Sequence, residues 1–370
     1  MAIDFPNETL LPQKTVFEKG SASKIAQESL EYGPRGLIVH GKSLENNSKK
    51  QNIINRYPPY AEIASFCRDN GEPTLDEITR VIKNGKDIKA KWIAGIGGGS
   101  VLDLAKAAAG LFNAKKEPVF YQEGGELKEI GIPFIAVPTT AGTGSEATIN
   151  SVIINKEKKV KLSIRDESFL AKKVILDVEL LKGIPPQAMS YAAMDAFVQA
   201  YESFTSRGAS WFSETFALKA LELVDKNILP AYEHAREENL SPLLLGSYFA
   251  GIAFSASRLG VIHGVAHTLG ALYDLPHGLI CSACLIPSIK INRQAMGRKY
   301  EVMSKLFGMD TQKRIEILLT GLKIRAPFKG KKLIEKEKIV AQALGSGSTA
   351  ASPKKIVKKD IESILNQLFI

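Results

Sequence analysis

Three of the five histidines in this 370-residue chain fall within fifteen residues: His263, His267 and His277, in the segment GVIHGVAHTLGALYDLPHG. His263 and His267 stand four apart, which on an α-helix puts both on one face. The surrounding segment is otherwise apolar, and imidazoles clustered in such a setting suit a metal ion or acid–base chemistry. Upstream, Tyr191 to Glu202 (YAAMDAFVQAYE) sets Asp195 and Gln199 one helical turn apart among alanines and aromatics. A carboxylate on an apolar helix face is costly to bury unless it is paired or ligates a cation. Asp195 therefore predicts a buried partner.

A second kind of chemistry is written in residues 95–106, GIGGGSVLDLAK. A β-rich run ends in Gly97, Gly98 and Gly99, and a helix starts at once, with Ser100 as the expected N-cap and Asp103 three residues on. Backbone N–H groups free of Cβ atoms converge easily on a pyrophosphate, which then sits at the positive end of the helix. The next loop, Pro138 to Glu146 (PTTAGTGSE), offers the hydroxyls of Thr139, Thr140, Thr143 and Ser145. Two such loops at successive strand ends suit a dinucleotide. Lys161, on a following hairpin, is a candidate cationic contact. Cys281 and Cys284 form a C-x-x-C inside the apolar run GLICSACLIPSI. No second C-x-x-C completes a zinc site, so the pair reads as buried small hydrophobes.

The elements that must position these groups follow from the alternation of short apolar runs with helical patterns. Gly36 to His40, Trp92 to Ile96 and Phe134 to Val137 read as buried strands, with helices over Thr74 to Lys83 and Val101 to Ala109, which implies a parallel α/β sheet. Thr148 to Asn155 and Val160 to Ile164 read as a hairpin added to that sheet. After Gly183 the strand signals stop and long helical patterns run almost to the end. The expectation is an α/β Rossmann-like domain over 1–183 and an all-helical domain over 184–370, with Gly345 to Pro353 as a flexible surface loop. At 45% hydrophobic and 24% charged, the composition excludes disordered and fibrous classes. The charge-free run Leu240 to Ser257 contains Pro242 and reads as a buried core helix, not a membrane span. The opening MAIDFPNETL lacks an apolar leader core, so a cytoplasmic enzyme is expected. Most of the net charge of +10 comes from Gly321 to Asp360, with eleven Lys/Arg against three Asp/Glu. No nucleic-acid-binding signature accompanies it, so it reads as a solvated basic face with no nucleic-acid partner.

In order and spacing, VFEKGSASKI (Val16–Ile25), GGGSVLDLAK, PTTAGTGSEAT, ILDVELL, MDAFVQAYE, HGVAHTLGALYDLPHG and SPKKIVKKDI together resemble the iron-containing (group III) alcohol dehydrogenases, which share the dehydroquinate synthase-like fold. The resemblance spans nearly the whole chain. It implies an N-terminal domain binding NAD or NADP, a helical domain holding one divalent metal, iron or zinc, and usually a homodimer. Activity would be hydride transfer between nicotinamide and a metal-coordinated alcohol or aldehyde, the small substrate including anionic ones. Metal positions carried over are Asp195, Gln199, His263 and His277, and His267 matches a histidine near the nicotinamide that assists proton transfer. Cofactor contacts carried over are Gly98, Gly99, Ser100, Thr139, Thr140, Thr143, Asn150 and Lys161. Two departures stand out. Gln199 replaces the family's usual histidine, which weakens the donor set. After the first buried run the chain reads His40-Gly41-Lys42-Ser43, where many NAD-specific members carry an aspartate; Gly41 and Lys42 leave room for a 2′-phosphate, which makes NADP at least as suitable as NAD. The alternatives are a metal-independent reductase resembling the maleylacetate reductases, and a non-catalytic nucleotide-binding relative.

Overall fold

The buried runs assemble as parallel strands, the arrangement expected when helices cover both faces of a sheet. The structure, a computed structural model, describes residues 8–45, 48–69, 71–158 and 160–369. Its strands are β1 (Lys14–Phe17), β2 (Arg35–Gly41), β3 (Glu62–Arg68), β4 (Trp92–Gly97), β5 (Phe134–Pro138), β6 (Asn150–Asn155), β7 (Val160–Arg165) and β8 (Lys173–Leu176). Six of them form one parallel sheet in the order β1-β8-β5-β4-β2-β3. Alternate residues Ala94 and Ile96 of β4, Ile135 and Val137 of β5, and Ile38 of β2 share one apolar cluster with Trp92 and Ile175. The chain leaves β2 for β3 on one side and returns to β4 on the other. The carboxyl ends of β2 and β4 therefore flank the point where the winding reverses, where open α/β sheets bind ligands.

Three strands carry no clear signal in sequence. β1 is a four-residue edge with three exposed residues, β3 mixes polar and apolar positions, and β8 is only four residues long. The hairpin forms, yet β6 and β7 make a separate two-stranded sheet and do not extend the main one; beyond it, Ile154 of β6 makes an isolated bridge to Thr74. Its turn includes Lys159, which lies outside the described residues.

Two helices of this part matter below: α1 (Leu75–Asp87), capped by Thr74 and Glu77 in a reciprocal capping box, and α2 (Gly99–Gly110). The long helices after Gly183 are α3 (Pro186–Thr205), α4 (Trp211–Glu233), α5 (Glu237–Ser257), α6 (Val261–Tyr273) and α7 (His277–Met296). The chain divides into two compact units. One comprises Leu10–Thr140 and Gly144–Lys182; the other comprises Gly183–Ile370 and includes Ala141–Thr143. The charge-free run lies in α5, most of whose residues are buried; by length and composition alone this helix could cross a membrane. Gly345 to Pro353 is not a surface loop: Gly347–Ala350 is a helical turn, Thr349, Ala351 and Ser352 are buried, and Arg207 N donates to Ala351 O at 2.8 Å.

Candidate functional site

Three helices bring the chemistry-bearing side chains of the helical unit together. α3 carries Asp195, Gln199 and Glu202 at spacings of four and three, hence on one face, and all three are buried. Glu202 reaches the first turn of α6, where its carboxylate accepts from Ile262 N at 2.7 Å and His263 N at 3.4 Å, capping helix donors that would otherwise be orphaned. A Cβ on Gly260 would sit 2.6 Å from Glu202 Oε1, so the close approach needs glycine there. α7 begins at His277, after a connection of only three residues from the end of α6. Its second residue, Gly278, lies against α3 so tightly that a Cβ would fall 1.9 Å from Tyr191 O. These two glycine contacts set His263 and His277 against Asp195.

The resulting cluster is compact. His263 Nε2 lies 3.4 Å and His277 Nε2 3.7 Å from Asp195 Oδ1. Gln199 Nε2 donates to Asp195 Oδ2 at 3.0 Å. His263 Nδ1 is 2.7 Å from Glu202 Oε2, a contact that orients the ring and leaves Nε2 facing the cluster. Cys281, one turn after His277, brings its Sγ to 3.5 Å from His277 Nε2. One donor atom from each of Asp195, His263, His277 and Cys281 lies within 4.8 Å of the others. Asp195 Oδ1, His263 Nε2 and Gln199 Oε1 are all buried without a hydrogen-bond partner. Acceptors left bare together in an apolar interior carry a large desolvation cost, which a divalent cation would relieve. Burial alone would raise the Asp195 carboxyl, but the charge of His277 and contacts with His263 outweigh it and hold it below its ordinary range. Burial pushes the Cys281 thiol up to about 12.

His267 stands apart from the four donors. Its ring stacks on His277, with centroids 5.4 Å apart and planes 15° from parallel. Sequence reasoning missed two members of this site. Glu202 is legible as the next step in the 195, 199 series, and Cys281 as the i+4 neighbour of His277; the buried-hydrophobe reading of Cys281 is right about burial and overlooks its place among the donors.

In the other unit the nucleotide candidates gather at strand ends. Gly97 pairs in register with Pro138, Thr139 N donates to Gly97 O at 3.0 Å, and a Cβ on Gly98 would lie 3.2 Å from Thr140 Oγ1. Gly98, Gly99, Thr139 and Thr140 thus share one rim of the sheet, with Gly41 ending β2 beside them. The N-cap differs from expectation. It is Gly98, without a side-chain cap, while Ser100 Oγ accepts from Arg68 Nη1 at 2.8 Å and Asp103 receives Ser145 Oγ and Val152 N. No side chain caps the first turn of α2, the positive end of the helix, where an anion is favoured. Asn150 starts β6, and its carbonyl is held by the fully buried Lys106, which also binds Thr148 O and Ser145 O. Lys106 therefore pegs the segment between loop and hairpin. Lys161 is engaged by Glu72 at 2.6 Å. Thr143 groups with the helical unit. Lys42, half exposed, pairs at 3.6 Å with Asp69, so a carboxylate does stand beside the end of β2, supplied by the residue after β3. The sequence expectation of no acid there looked only along β2.

Family comparisons agree with this geometry. A profile described as iron-containing alcohol dehydrogenase matches residues 12–178, and one for the C-terminal part of the same family matches 189–369. The chain belongs to the iron-containing alcohol dehydrogenase family. It is similar to the lactaldehyde reductase of Escherichia coli, 30% identical over 315 residues that cover 83% of this chain and 81% of that protein. Alcohol dehydrogenase 4 of Saccharomyces cerevisiae is 28% identical over 319 residues, 83% of each chain. Among solved structures, a 1,3-propanediol oxidoreductase superposes with a TM-score of 0.90 at 26% identity, covering 98% and 99% of the two chains. A sulfoacetaldehyde reductase from Bifidobacterium kashiwanohense, solved with NAD+, gives 0.90 at 25% identity, covering 98% of each. The protein is an NAD(P)-dependent oxidoreductase acting on CH–OH groups, with a His/Asp/Cys cluster suited to iron or zinc.

Proposed function

We propose that this dehydrogenase reduces short polar aldehydes, anionic ones included, using NADPH or NADH, with one divalent ion held by Asp195, His263 and His277. The observation that carries the metal assignment is the convergence of donor atoms from Asp195, His263 and His277 within 4.8 Å, with Asp195 Oδ1 and His263 Nε2 buried and not hydrogen-bonded. A metal-independent reductase would fill that point with cationic or hydrogen-bonding groups, and a decayed nucleotide-binding relative would have no reason to keep it. Oxygen and imidazole donors together suit iron or zinc.

Bound there, the ion would polarise a carbonyl or acidify an alcohol, and the nicotinamide would exchange the hydride. The chain's own residues do the rest. Glu202 holds His263 in the tautomer that directs Nε2 to the cluster. Gln199 steers the Asp195 carboxylate through its amide N–H, and its bare Oε1 is a weak neutral donor. His267, stacked on His277, passes the hydroxyl proton towards solvent. The first turn of α2, with Gly98, Gly99 and Ser100, receives the pyrophosphate, aided by Thr139 and Thr140; Gly41, Lys42, Thr143, Asn150 and Lys161 complete the proposed contacts. The names of the lactaldehyde and sulfoacetaldehyde reductases support a small polar aldehyde, and the NAD+ complex of the latter supports the nucleotide assignment. A cytoplasmic homodimer belongs to the same proposal.

The test is a panel of short neutral and anionic aldehydes with NADPH and NADH, before and after exhaustive chelation. Activity lost on chelation and restored by zinc or ferrous iron is expected. Full turnover by metal-free protein would overturn the assignment.

A further inference from the structure

The first turn of α7 contributes to the cluster twice. His277 and Cys281 are four residues apart on one helix face, and the Cys281 sulfur is as much a part of the convergent group as the two imidazoles and the Asp195 carboxylate, all within 4.8 Å of one another. The sulfur is fully buried and 3.5 Å from His277 Nε2. Gln199, by contrast, spends its amide N–H on Asp195 Oδ2 and offers only a neutral carbonyl oxygen. Resting on the metal reading above, we propose that Cys281, as a thiolate, is the fourth protein ligand of the ion, in the place that sequence comparison assigns to Gln199.

The thiol gives up its proton to solvent when the ion binds, and a sulfur–metal bond replaces the S–H bond. A charged, soft sulfur is a far stronger donor to a borderline metal than a carboxamide. The donor set becomes one carboxylate, two imidazoles and one thiolate, two negative charges that neutralise a divalent ion. Such a set would favour zinc over harder cations. Gln199 becomes a positioning residue for Asp195. Cys284, three residues further along α7 and equally buried, is not among the converging donors and serves as the control.

Cobalt(II) reports the difference directly. The full-length protein, stripped and reloaded with cobalt(II), should show visible ligand-field bands together with a near-ultraviolet sulfur-to-cobalt charge-transfer band. Cys281→Ser and Cys281→Ala should lose the charge-transfer band and keep visible bands, while Cys284→Ser keeps both. Zinc affinity, read by competition with a chelating dye, should fall at least about tenfold in Cys281→Ser. Visible bands without the charge-transfer band in the wild-type protein, or a charge-transfer band surviving in Cys281→Ser, would overturn the cysteine ligand while leaving the metal site standing. Absence of any cobalt spectrum in the wild-type protein would overturn the metal site and the cysteine ligand together.

Discussion

His263 depends on Glu202 for its direction. The carboxylate holds both the Nδ1 of the ring and the first-turn N–H groups of its helix, so the ring nitrogen facing Asp195 is fixed before any ion arrives. Glu202→Gln keeps the size and loses the charge. Metal affinity should fall roughly 10- to 100-fold, as for other partners of ligating histidines, with nucleotide binding unchanged, and competition against a chelating dye reads the change. An unaltered affinity would show that Glu202 caps α6 and does nothing more. Asp195 and Gln199 are legible in sequence because an acid and an amide stand out in an apolar helix. Glu202 and Cys281 are legible only as the i+7 and i+4 partners of residues already chosen, and their roles come from contacts between helices that no single helix pattern contains. At the end of β2, the proposed adenosine end of the cofactor site, Lys42 and Asp69 present opposite charges. Lys42→Ala should lower the NADPH-to-NADH ratio of kcat/KM and Asp69→Ala should raise it, each by about fivefold, the worth of ~1 kcal/mol for an exposed charge contact. Ratios that do not move would place the adenosine ribose elsewhere.

Among the elements, those whose apolar runs are long enough to be buried on both faces are visible in sequence: β2, β4 and β5, with α1 and α2 between them. The helix boundaries shift by a few residues, and at α2 the cap is Gly98 and not Ser100. β1, β3 and β8 are invisible for a physical reason: each is either a short strand or one at the sheet edge, so its pairing is decided by the strand beside it and not by its own pattern. The hairpin's place is likewise set from outside, by Lys106 of α2 binding three carbonyls between Ser145 and Asn150. Lys106→Met should leave those oxygens buried without donors and cost at least about 2 kcal/mol of unfolding free energy, measured by urea titration. Next to Lys106, burial lifts the Glu146 carboxyl to about 7. Because that value lies above the ordinary one, the folded state keeps a proton that the unfolded chain has lost. Glu146 therefore lowers stability progressively as pH rises from about 4.5 to 7. Glu146→Gln should be near neutral at pH 4.5 and stabilising by up to about 3 kcal/mol at pH 8. Equal effects at both pH values would contradict a protonated Glu146.

On the scale of the whole molecule, the candidate residues fall in both compact units. The glycine turn and the Thr139–Thr140 rim belong to the α/β unit, whereas Asp195, His263 and His277 belong to the helical unit. In sequence, strand signals end near Gly183, where the main stretch of the helical unit begins. What the sequence hides is how far residues 345–353, expected outside the fold, are built into it: a Cβ on Gly264 would fall 1.9 Å from Thr349 Oγ1. The positive charge of the C-terminal region sits mostly on exposed lysines, with Lys336 and Lys354 paired to Glu362 and Asp360. It therefore belongs to the surface and not to the site. The central claim is that His263 and His277 hold a catalytic metal ion, and metal content per chain tests it most directly, with NADPH binding followed by fluorescence to confirm that the fold is intact. The protein reloaded with zinc or ferrous iron should hold one ion per chain, and His263→Ala and His277→Ala should each hold almost none while still binding NADPH. Unchanged metal content in both variants would contradict the account.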